Sequence, residues 1–124
     1  MSVLQKGVIL TLEGETDRNG NLTKAKVQSA SAEGTSTLPI TIPWHLRGEM
    51  GMLEKGTEIA FVVFDDATGI IVSRMDGNWN GIIEDDITIK GNLIIEKEIL
   101  GKKTAQIDGN LSVGADIRLG GRIL

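Results

Sequence analysis

The feature that most constrains this chain is a repeated, one-sided apolar pattern in its last third. From residue 86 onward, isoleucine, leucine and valine recur at spacings of two or four, and IKGNL at 89–93 matches IDGNL at 107–111 eighteen positions later. A spacing of two is the period of a β-strand with one apolar face. A repeated unit of this kind must stack on further copies, and a free-standing stack needs about three. We therefore expect other chains to supply the missing copies.

The apolar positions of this pattern form the predicted core of the oligomer, with Gly91 and Gly109 in the same phase. A charged stretch, residues 96–103, separates its two halves. The predicted core residues are Ile87, Ile89, Leu93, Ile95, Ile107, Leu111, Val113, Ile117 and Leu119.

The first 78 residues predict a different, compact domain. Alternation and turn signals indicate about five strands, near residues 7–12, 24–30, 38–42, 58–64 and 70–74. The DRNGN sequence at 17–21 is typical of a hairpin connection, and residues 43–56 predict a long loop or short helix. Five short strands with a longer excursion between the third and fourth favour a small OB-type barrel.

The predicted organisation is thus all-β, with a barrel over residues 1–78, a linker over 79–85 and the repeat over 86–124. The 16 glycines and the few aromatic residues suit short strands joined by tight turns better than long helices. The N-terminal apolar run is too short for a signal peptide, and nothing approaches the ~20 apolar residues of a membrane span. We expect a protein made and folded in the cytoplasm.

Catalytic and cofactor chemistry is not indicated. The chain has no cysteine, its single histidine, His45, lacks a nucleophile context, and no phosphate-binding glycine loop is present. The acids at 65–66 and 84–86 lie in turn or linker positions, where we expect ordinary solvated carboxylates. The predictions are therefore no enzyme, no catalytic residue, no cofactor and no metal.

One segment imitates a calcium loop. Residues 76–87 place oxygen-bearing side chains at loop positions 1, 3 and 5 and a glycine at 6, as in an EF-hand. Position 12, however, is Ile87 rather than the bidentate glutamate that completes such a site. A turn-rich linker is favoured over a calcium site, and calcium binding stays open.

The alternative function is an OB-type module that binds single-stranded nucleic acid and carries an oligomerising tail. Such binding uses a basic groove with stacking aromatics. The formal net charge is −4, and Lys24, Lys26, Arg47 and Arg74 are scattered rather than striped. Phe61 and Phe64 lie in the strand expected to be core. We therefore expect no nucleic-acid partner.

The order of features resembles the baseplate spike family of contractile-tailed phages and related injection particles, which includes baseplate assembly protein V and the spike of type VI secretion. The resemblance covers 7–9, 24–27, 38–43, 53–61 and 69–72 in the barrel and the glycine-punctuated repeat from Asp86. It implies an OB domain followed by an intertwined, triple-stranded β-helix, hence a homotrimer with the core residues above facing inward. Leu53 stands where the family usually has proline.

The resemblance also implies a function and partners. Such a protein docks on tail hub or tube proteins through its OB domain and pierces the target cell envelope with its spike, which places this chain in a virion tail baseplate. The family often ends in a metal-binding histidine-x-histidine pair, which residues 119–124 lack. We expect no tip metal and a separate tip-capping protein. No lysozyme-like insertion is present, so no cell-wall hydrolysis is implied.

Overall fold

The computed structural model describes residues 3–31, 34–118 and 120, and the chain divides into two units, Met1–Thr88 and Ile89–Leu124. The first unit contains strands β1 (Val3–Thr16), β2 (Leu22–Ser29), β3 (Ile40–Thr41), β4 (Glu58–Val63) and β5 (Gly69–Arg74). A 3-10 helix, Trp44–Leu46, and a one-turn helix α1, Gly48–Gly51, lie between β3 and β4.

The five strands form a closed barrel in the order β1-β2-β3-β5-β4. Strand β1 closes the barrel because it pairs antiparallel with β4 through its first part and with β2 through its second. Its register with β2 shifts between Ile9 and Thr11 and again between Glu13 and Thr16. Irregularities of this kind bend a strand, which lets one long strand serve both neighbours.

The core of the barrel is made of inward-facing aliphatic residues around Phe61. In β2 every second residue from Ala25 is buried, and β4 and β5 contribute buried residues in the same alternating way. Leu46 and Leu53 add apolar cover from the helical connection. The buried cluster comprises Ile9, Ala25, Val27, Ile40, Ile42, Leu46, Leu53, Ile59, Phe61 and Ile71.

Gly7 shows how closely the barrel is packed. A Cβ atom at this position would lie 2.5 Å from the carbonyl oxygen of Gln28 and 2.8 Å from the ring of Phe61. Both distances are shorter than non-bonded contacts allow, so only glycine lets β1 approach β2 while the Phe61 ring stays inside.

The five-stranded barrel expected from the sequence is confirmed, with two local differences. Strand β3 is shorter than predicted, because Pro39, which cannot donate to a ladder, lies outside it. Phe64, which was expected in the core, is exposed, because β4 ends at Val63 and Phe64 begins the turn into β5. Among the described residues, no helix is long and apolar enough to cross a bilayer.

Candidate oligomerisation surface

In the described part of the second unit, residues 89–118 and 120, the backbone has no backbone hydrogen-bond partner. No strand follows Arg74 in the described part of the chain, and the last backbone–backbone hydrogen bond there joins Asn80 N to the carbonyl of Met50. The side chains of residues 89–118 form one hydrogen bond among themselves, from Gln106 Nε2 to Asp108 Oδ1 at 3.4 Å. The amides and carbonyls of this segment are therefore available for strand pairing.

The predicted core residues are all exposed wherever the structure describes them. Their exposed fractions run from 42% at Val113 to 68% at Leu111, and Leu119 lies outside the described residues. A backbone without regular secondary structure, with unpaired polar groups and a row of exposed branched aliphatics, is unusual for a folded surface. These residues come together only if further strands cover them.

The backbone of the second unit bends at a regular interval of six residues. Paired bends fall at 90–91, 96–97, 102–103, 108–109 and 114–115. The six-residue segments that begin at residues 91, 97, 103, 109 and 115 carry small or aliphatic residues at their third and fifth positions. For the first four segments these pairs are Leu93 and Ile95, Ile99 and Gly101, Ala105 and Ile107, and Leu111 and Val113.

This spacing explains the apolar pattern of the sequence. Apolar residues are two apart within a segment and four apart across a bend, and an even period keeps them on one face throughout. The eighteen-residue repeat is then three segments long. If the chain turned through about a third of a circle at each bend, three bends would complete one turn. Residues eighteen positions apart would then lie on the same side of the coil.

Ile99 is a core candidate that sequence reasoning missed. It lies in the charged stretch 96–103, which was interpreted as an interruption, but the bends continue through that stretch at the same interval. The charges at Lys97, Lys102 and Lys103 fall at the bends, while Ile99 occupies the third position of its segment and is 78% exposed. Ile117 lies eighteen residues after Ile99, at the equivalent position of the repeat. This match is the sequence signal that could have identified Ile99 as a core candidate.

A second feature, within the first unit, is the segment 79–86, which we call the strap. The indole nitrogen of Trp79 donates to the carbonyl of His45 at 3.0 Å, and Asn80 N donates to the carbonyl of Met50 at 3.2 Å. The strap is thus hydrogen-bonded to the helical connection between β3 and β4. The predicted domain limits place residues 79–85 in a linker, and this linker is bound to the barrel.

Asp85 is the most extensively bonded residue of the strap. Its carboxylate accepts hydrogen bonds from Arg18 Nε at 3.0 Å, Asn19 Nδ2 at 3.1 Å and Trp44 Nε1 at 2.9 Å. These donors, Arg18 first, lower the pKa of Asp85 from 3.8 to about 2. The negative form is therefore the one that the strap geometry stabilises.

Glu84 bonds to the same region. One carboxylate oxygen accepts from Asn21 Nδ2 at 2.8 Å, and the other accepts from the backbone N–H of Glu49 in helix α1 at 3.0 Å. The expectation that the acids at 84–86 are ordinary solvated groups is wrong for Glu84 and Asp85. Their donors lie in the β1–β2 turn and the helical connection, too far along the chain for a local pattern to reveal.

In the segment that imitates a calcium loop, the residue at the first ligand position, Asp76, is bound by Arg74. Asp76 accepts two hydrogen bonds from the guanidinium of Arg74, at 2.9 and 2.7 Å, and one from Asn78 N at 2.9 Å. These interactions, with Arg74 first, lower the pKa of Asp76 to about 2. In the described ranges, no group of three or more His, Cys, Asp or Glu residues is placed to hold a metal ion.

The arginines of the barrel unit are engaged by acids and carbonyls. Arg18 pairs with Asp85 at 2.9 Å, and Arg47 lies 3.5 Å from Asp17. Arg74 also donates to the carbonyls of Gly51 and Met52. These guanidinium groups serve loop structure rather than forming a basic stripe.

Comparison with protein families, with curated proteins and with solved structures finds no match for this chain. The features of the molecule that bear on its function are therefore the closed barrel, the strap and the repeat, whose described backbone is unpaired.

Proposed function

We propose that this protein is the structural spike of a contractile phage tail or a related injection particle. In this proposal residues 86–124 of three chains intertwine as a β-helix, and the barrels dock on tail hub or tube proteins. The spike leads the tube into the target cell envelope, with a separate protein capping its tip. The observation that carries the proposal is a repeat whose backbone is unpaired and whose apolar residues are exposed among the residues that the structure describes.

The free energy available from covering this surface is large. Burying one isoleucine or leucine side chain contributes about 1.5–3 kcal/mol, and each chain offers eight or more such residues among those described. Pairing the backbone also satisfies donors and acceptors that the single chain leaves open. Association with copies of the same repeat supplies both contributions at once.

A coil made by one chain would satisfy the same groups in another way. It would place Leu111 on Leu93, one strand spacing of about 4.8 Å away, with backbone hydrogen bonds between successive turns. No such hydrogen bond occurs between the described residues of the second unit. The absence of these hydrogen bonds among the described residues favours pairing with strands of other chains over a coil made by one chain.

Three chains match the geometry of the bends. The repeat is eighteen residues, or three segments, long, which fits one turn of three segments. A three-fold assembly would then have three equivalent faces, each built from strands of all three chains in rotation. Each chain then rises about 14 Å per turn, three strand spacings of ~4.8 Å. The five segments from residue 91 to residue 120 would span about 24 Å at the same spacing.

The properties of such an assembly suit a mechanical role. Interwound strands have no long free edge, and unravelling one chain requires breaking its pairing with two others. The inward positions are small or aliphatic, and the charged residues fall at the bends or outside, so the spike directs its charged side chains to water. Stiffness of this kind is what a piercing element needs.

The barrel supports the docking part of the proposal. Its strand order, with β1 paired to both β2 and β4 and a short helix between β3 and β4, fits an OB-type barrel. The strap fixes the chain that leads toward the repeat to the barrel surface through Trp79, Glu84 and Asp85. Such anchoring would transmit load from a docked barrel.

Immunogold electron microscopy tests this function directly. Antibody against the full chain is applied to contractile particles purified from the cells that encode it. The proposal predicts label at the distal end of the tail tube, on the baseplate axis. Particles that carry no label there, under conditions in which a known tail protein is labelled, would contradict the assignment.

A further inference from the structure

We infer the strand register of the assembly: on the outside of each face, Ile94 of one chain lies beside Leu100 of the next. This inference rests on the proposed intertwined trimer and adds to it which segments of which chains are neighbours. The partner surface is a second copy of this chain, displaced by one six-residue segment.

The outward position of each segment lies between its two inward positions. In the five segments these outward residues are Ile94, Leu100, Gln106, Ser112 and Arg118. Ile94 is 85% exposed and Leu100 is 82% exposed, more than any other large apolar residue that the structure describes. The first two segments therefore carry adjacent aliphatic residues on a surface that is otherwise polar.

Three-fold symmetry fixes which segments meet. At each bend a chain passes to the next face of the assembly. The strand directly below it on that face is the preceding segment of the neighbouring chain, one strand spacing lower. Moving up any face, the strands are thus segment one of one chain, segment two of the next and segment three of the third. Strands that touch on one face differ by a single segment and belong to different chains.

The bends then align the residues of these neighbours. All strands run in the same direction, and the corners fall at equivalent positions, so residues pair with partners six positions along the sequence. Ile94 lies beside Leu100 at about 4.8 Å between backbones, and each covers part of the other's side chain. A register displaced by one further segment would set Ile94 against Gln106 and lose this contact.

Cysteine cross-linking tests the register, because the chain contains no natural cysteine. The full-length double variant Ile94→Cys with Leu100→Cys is oxidised under mild conditions and treated in parallel with a short bis-maleimide. We expect covalent trimers on a non-reducing denaturing gel, since each chain is joined to both others. Neither single variant should cross-link within a trimer, because symmetry-related copies of one residue lie on different faces.

Two matched pairs distinguish the alternatives. In the double variant Ile94→Cys with Gln106→Cys, the two cysteines lie two strand spacings apart on one face. Oxidation should not cross-link them. In the double variant Ile94→Cys with Ser112→Cys, a disulfide would form within one chain if the repeat coiled on itself. That result would overturn the inference.

The solution mass of each variant separates failure of the register from failure of the proposed function. Trimers in which the 94/100 pair does not cross-link, whereas the 94/106 pair does, would overturn the register and leave the trimer standing. A monomer mass for the unmodified protein would overturn the trimer itself.

Discussion

The carboxylate of Asp85 accepts a hydrogen bond of 2.9 Å from the indole N–H of Trp44, forty-one residues earlier in the chain. Arg18 and Asn19 donate to the other oxygen of the same carboxylate. Three separate loops of the chain therefore meet at one acidic group. This contact holds the strap on the barrel and makes Asp85 the first place to test it.

Replacing Asp85 should loosen the strap without disturbing the core. Asp85→Asn removes the charge and turns one acceptor into a donor that faces Arg18, Asn19 or Trp44. We expect a lower Tm and a red-shifted tryptophan emission, because both tryptophans, Trp44 and Trp79, bond within this region. The matched control is Asp86→Asn, an exposed neighbour, which should leave both readouts unchanged. Equal behaviour of the two variants would show that the strap does not depend on this contact.

Acidification should release the strap over a defined range. The pKa values of Asp85 and Asp76 are both about 2 in the folded protein, below their usual 3.8. Their contribution to stability is therefore complete above about pH 4 and declines as the pH falls toward 2. Urea unfolding followed by tryptophan emission between pH 6 and 2 measures this decline. Asp85→Asn should make the decline shallower, and an identical profile would count against the assigned cause.

A carboxylate at an inward position should prevent assembly. Leu93→Asp or Leu111→Asp would bring three unpaired charges together around one axis, away from water. The controls are Asn92→Asp and Asn110→Asp, which add the same group one position away, on the outward side of the chain. Light scattering on a sizing column should show loss of the trimer for the leucine variants alone. A fully assembled Leu111→Asp protein would refute the inward phase.

A substitution at Ile99 tests whether the charged stretch interrupts the repeat. If the six-residue spacing continues through residues 96–103, Ile99→Asp should block assembly as strongly as Leu93→Asp does. Thr104→Asp, at an outward position of the next segment, is the matched control. An interruption would instead leave both variants trimeric, and the same solution-mass measurement separates the two results.

The barrel was predictable because its signals are local. Alternating aliphatic residues and the turn at 17–21 located all five strands, and β4 begins at Glu58 as expected. The length of β1 was not predictable, because residues 3–6 pair with β4 and their fold depends on a strand more than fifty residues away. Phe64 was misplaced because hydrophobicity does not show where a strand ends.

The candidate site was predictable only in part, for the same reason. The alternating apolar pattern of the repeat is evident from the sequence alone, and its inward phase stays a prediction. The six-residue bends became visible only in the backbone, and with them Ile99 as a further core candidate. The strap was missed because its hydrogen bonds join residues 30 to 67 positions apart. No pattern within a short window connects Asp85 with Arg18.

The mass of the full-length protein in solution tests the central claim most directly. Light scattering on a sizing column, repeated in mild detergent, should give three times the chain mass of 13.3 kDa. The account predicts that this mass persists on dilution, because the chains are interwound rather than loosely docked. A clean monomer would contradict it, since the repeat of residues 86–124 would then have no partner strands at all.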